Sequence, residues 1–158
     1  MRPLICEELM LYIDSPKQLA AHLCLNDYHT EADPELKEAV IKEFVPEKNH
    51  FEKEFLFYTI WLIVRKQDNT VLGSFCFHGE PEGGRVEIGY GLYEENRGSG
   101  YMTEAIQQII EWARKRNDIQ SVCAETETQN PGSQKVLQRT GFSEIYKDEN
   151  SILWELCV

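Results

Sequence analysis

A carboxylate and two glycines share one side of a short strand pattern, and a glycine loop opening a helix follows directly. Over residues 86–93, Val86, Ile88, Tyr90 and Leu92 alternate with Glu87, Gly89, Gly91 and Tyr93, the two-residue period of a strand. The first set forms an apolar, packing face. The second presents a carboxylate and then a stretch almost without side chains. Glycine inside a strand costs stability, and one compensation is that a ligand's own backbone can lie along the bare face. Next comes Asn96-Arg97-Gly98-Ser99-Gly100. A glycine loop at a helix start leaves backbone N–H groups free, and with the helix dipole they favour an anion, most often a phosphate.

The helix behind that loop is firmly patterned. Met102, Ala105, Ile106, Ile109, Ile110 and Ala113 recur at helical spacing, with Glu104, Gln107, Gln108, Glu111, Arg114 and Lys115 opposite. The basic run Arg114-Lys115-Arg116 suits the negative end of the dipole. The phosphate-loop pattern G-x-x-x-x-G-K-[ST] is absent, and the dinucleotide pattern G-x-G-x-x-G would need glycine where Thr103 stands. Arg97-Gly98-Ser99-Gly100 alone also fits a plain glycine turn between a strand and a helix.

The other elements follow from periodicity and turn residues. Residues 4–13 read as a short strand. Ser15 reads as the cap of a helix with Pro16 in its first turn and Leu19, Ala20 and Leu23 inward. Residues 26–34 read as a loop, 33–44 as a helix with Leu36, Val40, Ile41 and Phe44 inward, and 50–54 as a further short segment. Strands are predicted over 57–66 and 71–78, joined by a turn at 67–69, and the turn 80–84 leads on to the strand carrying Glu87. A strand over 119–126, a helix over 130–139 with Val136 and Leu137 inward and Gly141 as C-cap, and strands over 142–146 and 152–158 complete the chain. This mixed order places the fold in the α/β (α+β) class.

The 158 residues suit a single domain with a sizeable core. No run of about eighteen apolar residues offers a membrane span, and Glu7 and Glu8 interrupt the apolar N-terminal stretch where a signal peptide would be continuous. Five widely spaced cysteines without a C-x-x-C pair argue against a metal site or disulfide framework and for a cytoplasmic setting. The four histidines share no ligand-like spacing and read as surface or core residues. A formal charge of −11 disfavours nucleic acid. It suits a cationic substrate, and equally suits mere solubility.

Two segments carry a family resemblance. Arg97-Gly98-Ser99-Gly100 resembles the end of motif A of the GNAT N-acetyltransferases, [QR]-x-x-G-x-[GA], although Glu95 stands in the motif's first slot. Glu87-Ile88-Gly89-Tyr90 and Gly100-Tyr101-Met102-Thr103-Glu104-Ala105 are similar to the branch that acetylates ribosomal-protein N-termini at alanine or serine. Downstream, Asn130, Ser133, Val136, Leu137, Arg139, Gly141 and Phe142 resemble the family's N-x-x-S-x-x-[VL]-L-x-[KR]-x-G-F segment. The resemblance covers about residues 70–143.

What it implies is specific. The fold would be a mixed, mostly antiparallel central sheet flanked by helices, with the 86–93 and 119–126 strands splayed apart. Acetyl-CoA would be the co-substrate, with no metal. Its pantetheine arm would lie along Gly91, Leu92 and Tyr93 and touch Asn130. Its pyrophosphate would rest on the amides of Arg97, Gly98, Ser99, Gly100, Tyr101 and Met102. The region between the first helices would cover the acceptor, a small-molecule or peptide amine. A homodimer is compatible with the resemblance. Acetyl transfer needs a neutral amine, hence a base. Glu87 is the candidate, on the face it shares with the glycines; it also fits a cross-strand salt bridge. Glu125 is second choice, through water. Ser133 would serve the leaving thiolate, or else is only a first-turn residue; Tyr146 is the alternative. Transfer would be direct, without an acetylated residue. A catalytically silent acyl-CoA-binding module and an unrelated nucleotide-binding domain are the competing classes.

Overall fold

The computed structural model describes residues 1–26, 38 and 55–158. They gather into two compact units, Met1–Cys76 and Phe77–Val158.

In the first unit, β1 (Arg2–Pro3) pairs antiparallel with β2 (Ile60–Arg65), and β2 with β3 (Thr70–Phe77), whose last residue lies beyond the unit. Helices α1 (Cys6–Asp14) and α2 (Pro16–Leu23) precede β2. The strand expected over 4–13 is therefore wrong: most of it is helix. Leu9, Tyr12 and Ile13 are buried at helical spacing, while Ile5 and Met10, apolar on either reading, stay exposed. Glu8 fixes the helix start. Its carboxylate accepts from the Ile5 N–H at 3.0 Å and from Arg2 at 2.6 Å, the return half of a capping box. That carboxylate is buried and depends on those partners.

In α2, Pro16 occupies the first position and Leu19 is fully buried, as expected, but the Ser15 side chain caps nothing. The expected helix at 33–44 and segment at 50–54, like nearly all of the 26–34 loop, lie outside the described residues, Asn26 and Glu38 apart. The expected 57–66 strand starts later, at Ile60. Before it, Phe55–Phe57 forms a 3₁₀ turn, held by Trp61 Nε1 donating to the Leu56 carbonyl at 2.9 Å and Thr59 Oγ1 to that of Leu4 at 2.6 Å.

The second unit holds β4 (Arg85–Leu92), a 3₁₀ turn (Glu94–Asn96), α3 (Tyr101–Ala113), β5 (Ser121–Glu127), α4 (Pro131–Arg139), β6 (Ser143–Lys147) and β7 (Ser151–Cys157). β5 pairs antiparallel with β7 along its whole length, and β7 antiparallel with β6. β4 and β5 are parallel. The result is a mixed α/β fold with mostly antiparallel strands, as the resemblance implied. Every apolar residue expected inward on α3 is buried, and Leu137 is buried on α4. Val86, Ile88, Val122, Ala124, Ile152 and Trp154 form the matching strand face. Trp154 donates from Nε1 to Thr126 Oγ1 at 2.9 Å, so the core holds no orphaned indole N–H there. Gly141, at φ +95°, ends α4 as a C-cap glycine should.

The pairing of β4 with β5 matters most for function. It covers Arg85–Ser121, Val86–Val122 and Glu87–Cys123 and stops there, although β4 continues to Leu92 and β5 to Glu127. Because β5 stays laddered to β7 throughout, the two neighbours part and leave an opening between them.

Candidate active site

The opening is lined by backbone. The His78 N–H donates to the Glu87 carbonyl at 3.0 Å, so Glu87 turns its main-chain groups away from β5. Successive residues of a strand turn theirs to alternate edges. Beyond the last paired residue, Tyr90 and Leu92 therefore direct their main-chain groups into the gap. The Leu92 carbonyl accepts from Arg97 Nε at 3.2 Å, which ties the strand end to the loop below it.

That loop is shaped for an anion. Gly98 and Gly100 sit at φ +79° and +85°, a region L-residues rarely adopt. A Cβ built at Gly91, Gly98 or Gly100 would meet nothing within 4 Å, so the glycines border open space rather than packed atoms. The hydrogen bond of Glu104 N–H to the Gly100 carbonyl, 3.1 Å, begins α3. The amides of Tyr101, Met102 and Thr103 precede it and have no place in the helical ladder. Free N–H groups, two positive-φ glycines, a positive dipole end and the Arg97 guanidinium suit a pyrophosphate.

Two polar pairs flank the opening on opposite faces of β4. On one, Glu87 Oε1 lies 3.0 Å from His78 Nδ1, both half-exposed. Glu87 thus has a side-chain partner on the neighbouring strand side, the His78 ring. The same face carries Cys123 opposite Glu87, and Glu155, whose Oε1 accepts from Ser121 Oγ at 2.9 Å and lies 3.5 Å from Arg85 Nε. Burial pushes the Cys123 thiol upward, despite the opposing pull of Arg85. Glu125 is exposed on this face, beyond the last paired residue.

On the other face, Tyr90 Oη and Ser133 Oγ are 2.8 Å apart. Burial pushes the Tyr90 phenol up to about 12, against the opposing pull of the Ser133 hydrogen bond. Asn130 caps α4, its Oδ1 accepting from the Ser133 N–H at 3.1 Å. That leaves Asn130 Nδ2 as the donor available to an amide-bearing arm. The Tyr93 phenol is also raised, by burial and then by Glu95.

Tyr146 does not belong to this group. It lies on β6, exposed, with β7 and β5 between it and the opening. Its place at the far edge removes it as the thiolate's partner. Tyr90 was missed because it sits in the apolar half of the alternation; the signal was its hydroxyl among Val86, Ile88 and Leu92. Among the described residues, no three metal-ligating side chains gather, and no helix is long and apolar enough to cross a membrane.

The acetyltransferase (GNAT) domain family model matches residues 8–143. The chain belongs to the GNAT acetyltransferase family. This GNAT chain is 34% identical over 125 residues to the uncharacterized N-acetyltransferase YjdG of Bacillus subtilis, covering 78% of the chain and 69% of that protein. It is 29% identical over 86 residues to the ribosomal-protein-serine acetyltransferase of Escherichia coli, covering 54% of the chain but only 48% of that protein. In three dimensions the GNAT fold here matches RimL, a ribosomal L7/L12 alpha-N-protein acetyltransferase solved with coenzyme A. The TM-score is 0.66 at 18% identity, over 99% of this chain and 92% of that one.

Proposed function

We propose that the protein is an acetyl-CoA-dependent N-acetyltransferase that passes the acetyl group directly to a primary amine, a protein or peptide N-terminus being the leading acceptor class. The observation that carries this reading is the parting of β4 from β5 immediately above an open glycine loop. A pantetheine arm has two amides and needs strand-like partners; Tyr90 and the expected Leu92 offer them, whereas the alternation turns the expected Gly91 to the other edge of β4 and Tyr93 lies past the strand's end. The pyrophosphate takes the amides of the loop and of the first turn of α3. The name of the E. coli relative supports a protein N-terminus as acceptor, and a formal charge of −11 supports a cationic one. We place the protein in the cytoplasm.

The chemistry needs three things of the chain. Glu87, held by His78, takes the proton that the amine loses on attack. A backbone N–H of the parted strand polarises the thioester carbonyl. Ser133 offers its O–H to the sulfur as the C–S bond breaks. Because Glu87 and Tyr90 lie on opposite faces of β4, amine and thiolate are served from opposite sides of the thioester. A silent acyl-CoA-binding module would need the loop but neither Glu87 nor Ser133.

Binding is tested first. Acetyl-CoA at about 100 times its dissociation constant should stabilise the fold by about 2.7 kcal/mol. For a domain of this size that raises Tm by about 5–10 °C. A folded sample whose Tm ignores both acetyl-CoA and CoA contradicts the assignment.

A further inference from the structure

We propose that Tyr90 is a positioning residue for acetyl transfer, aiming the Ser133 hydroxyl at the departing sulfur by a hydrogen bond that crosses the opening between β4 and β5. The inference rests on the acetyl-transfer reading given above.

Tyr90 stands on the part of β4 that has left β5, three residues beyond the last paired residue, Glu87. Ser133 stands in the first turn of α4, the element that follows β5. Their 2.8 Å contact is therefore a strut between the two arms of the opening. Ser133 is fixed from its other end as well, by its N–H on Asn130 Oδ1. With main chain and cap settled, the free choice left to Ser133 is the rotation of its hydroxyl.

Tyr90 settles that choice. Either oxygen of the pair can donate. If Tyr90 donates, the Ser133 hydrogen is released to point elsewhere; with the carbonyl oxygen met by a backbone N–H of the parted strand, the acceptor left to it is the departing sulfur. Burial keeps the phenol protonated, at about 12, well above the roughly 8.5 of an ordinary thiol. A thiolate cannot take the Tyr90 proton, so the pair acts by donation and not by ionisation. In the step, the amine nitrogen forms the C–N bond, the C–S bond breaks, and its electron pair goes to sulfur. The amine's proton goes to the base and reaches the thiolate through solvent. Donation from Tyr90 to Ser133 strengthens the outward O–H as charge grows on sulfur.

Tyr90→Phe keeps the ring and removes the bond; Ser133→Ala removes it from the other side. The assignment expects kcat to fall about tenfold in Tyr90→Phe, with KM for acetyl-CoA and Tm nearly unchanged. It also expects the double variant to be no slower than Ser133→Ala alone, because coupled residues are not additive. Wild-type kcat in Tyr90→Phe, or losses that simply multiply in the double variant, overturns it. So does a loss carried wholly by KM or by a fallen Tm. A wild type that neither binds nor turns over acetyl-CoA overturns the acetyl-transfer reading and this role with it; the other outcomes strike Tyr90 alone.

Discussion

Glu87→Gln is expected to lower kcat/KM by about 10²–10⁴-fold at neutral pH, the contribution typical of a positioned base, while acetyl-CoA affinity stays nearly intact. The substitution keeps the shape of the side chain and an oxygen for His78 Nδ1 to address, but removes the basicity. The obstacle it exposes is real. At pH 7 an α-amine, with a pKa of about 7.7–8.0, is neutral in roughly one molecule in six to eleven, and a lysine amine, near 10.4, in about one in 2,500. The deficit should shrink as pH rises toward the amine's own pKa, because solvent then removes the proton. A pH–rate profile of both proteins on one amine checks this. Turnover within about threefold of wild type at pH 7 makes Glu87 structural and passes the role to Glu125 or a water chain. A large deficit that ignores pH makes Glu87 a residue that positions the acceptor.

Gly98→Glu should weaken acetyl-CoA binding by about 10²–10³-fold and leave the protein folded. A Cβ at Gly98 meets nothing within 4 Å, so the side chain clashes with no core atom. It enters the space assigned to the pyrophosphate. Two like charges about 4 Å apart at an effective dielectric of about 20 repel by about 4 kcal/mol, a thousandfold, before salt screening. The backbone adds a cost of its own, since φ is +79° and a left-handed L-residue is disfavoured by roughly 1–2 kcal/mol. Gly98→Asn separates the two effects: asparagine tolerates that region and carries no charge, so it should bind far better than the glutamate variant. Calorimetric titration of acetyl-CoA into each protein is the measurement. Unchanged affinity in Gly98→Glu would falsify the phosphate-cradle role of the loop.

Much of the second unit was legible because its patterns are local. The α3 stripe from Met102 to Ala113 has a helical period that no strand could bury, and each expected residue is inside. The β4 alternation set Val86 and Ile88 inward and Glu87 outward. Residues 4–13 misled because apolar residues outnumber what one face can hold. The decisive feature was the Glu8 carboxylate reaching back to Ile5, a contact with little hydrophobic signature. The polar pairs were illegible for a different reason. His78 meets Glu87 across nine positions and Tyr90 meets Ser133 across forty-three, and periodicity reports on faces, not on partners. Tyr146 failed for the same reason: only the strand order places it two strands from the opening.

The central claim is transfer, and it is tested most directly by thiol release from acetyl-CoA, with mass spectrometry of the acceptor. The acceptors to compare are a peptide with a free N-terminus, the same peptide with its N-terminus blocked, a polyamine and a lysine side-chain amine. The account predicts that CoA is released in step with acetylation of a primary amine, and that the blocked peptide releases none beyond its lysines. A folded protein that binds acetyl-CoA yet releases no CoA with any of these amines contradicts it, and leaves a binding module in place of an enzyme.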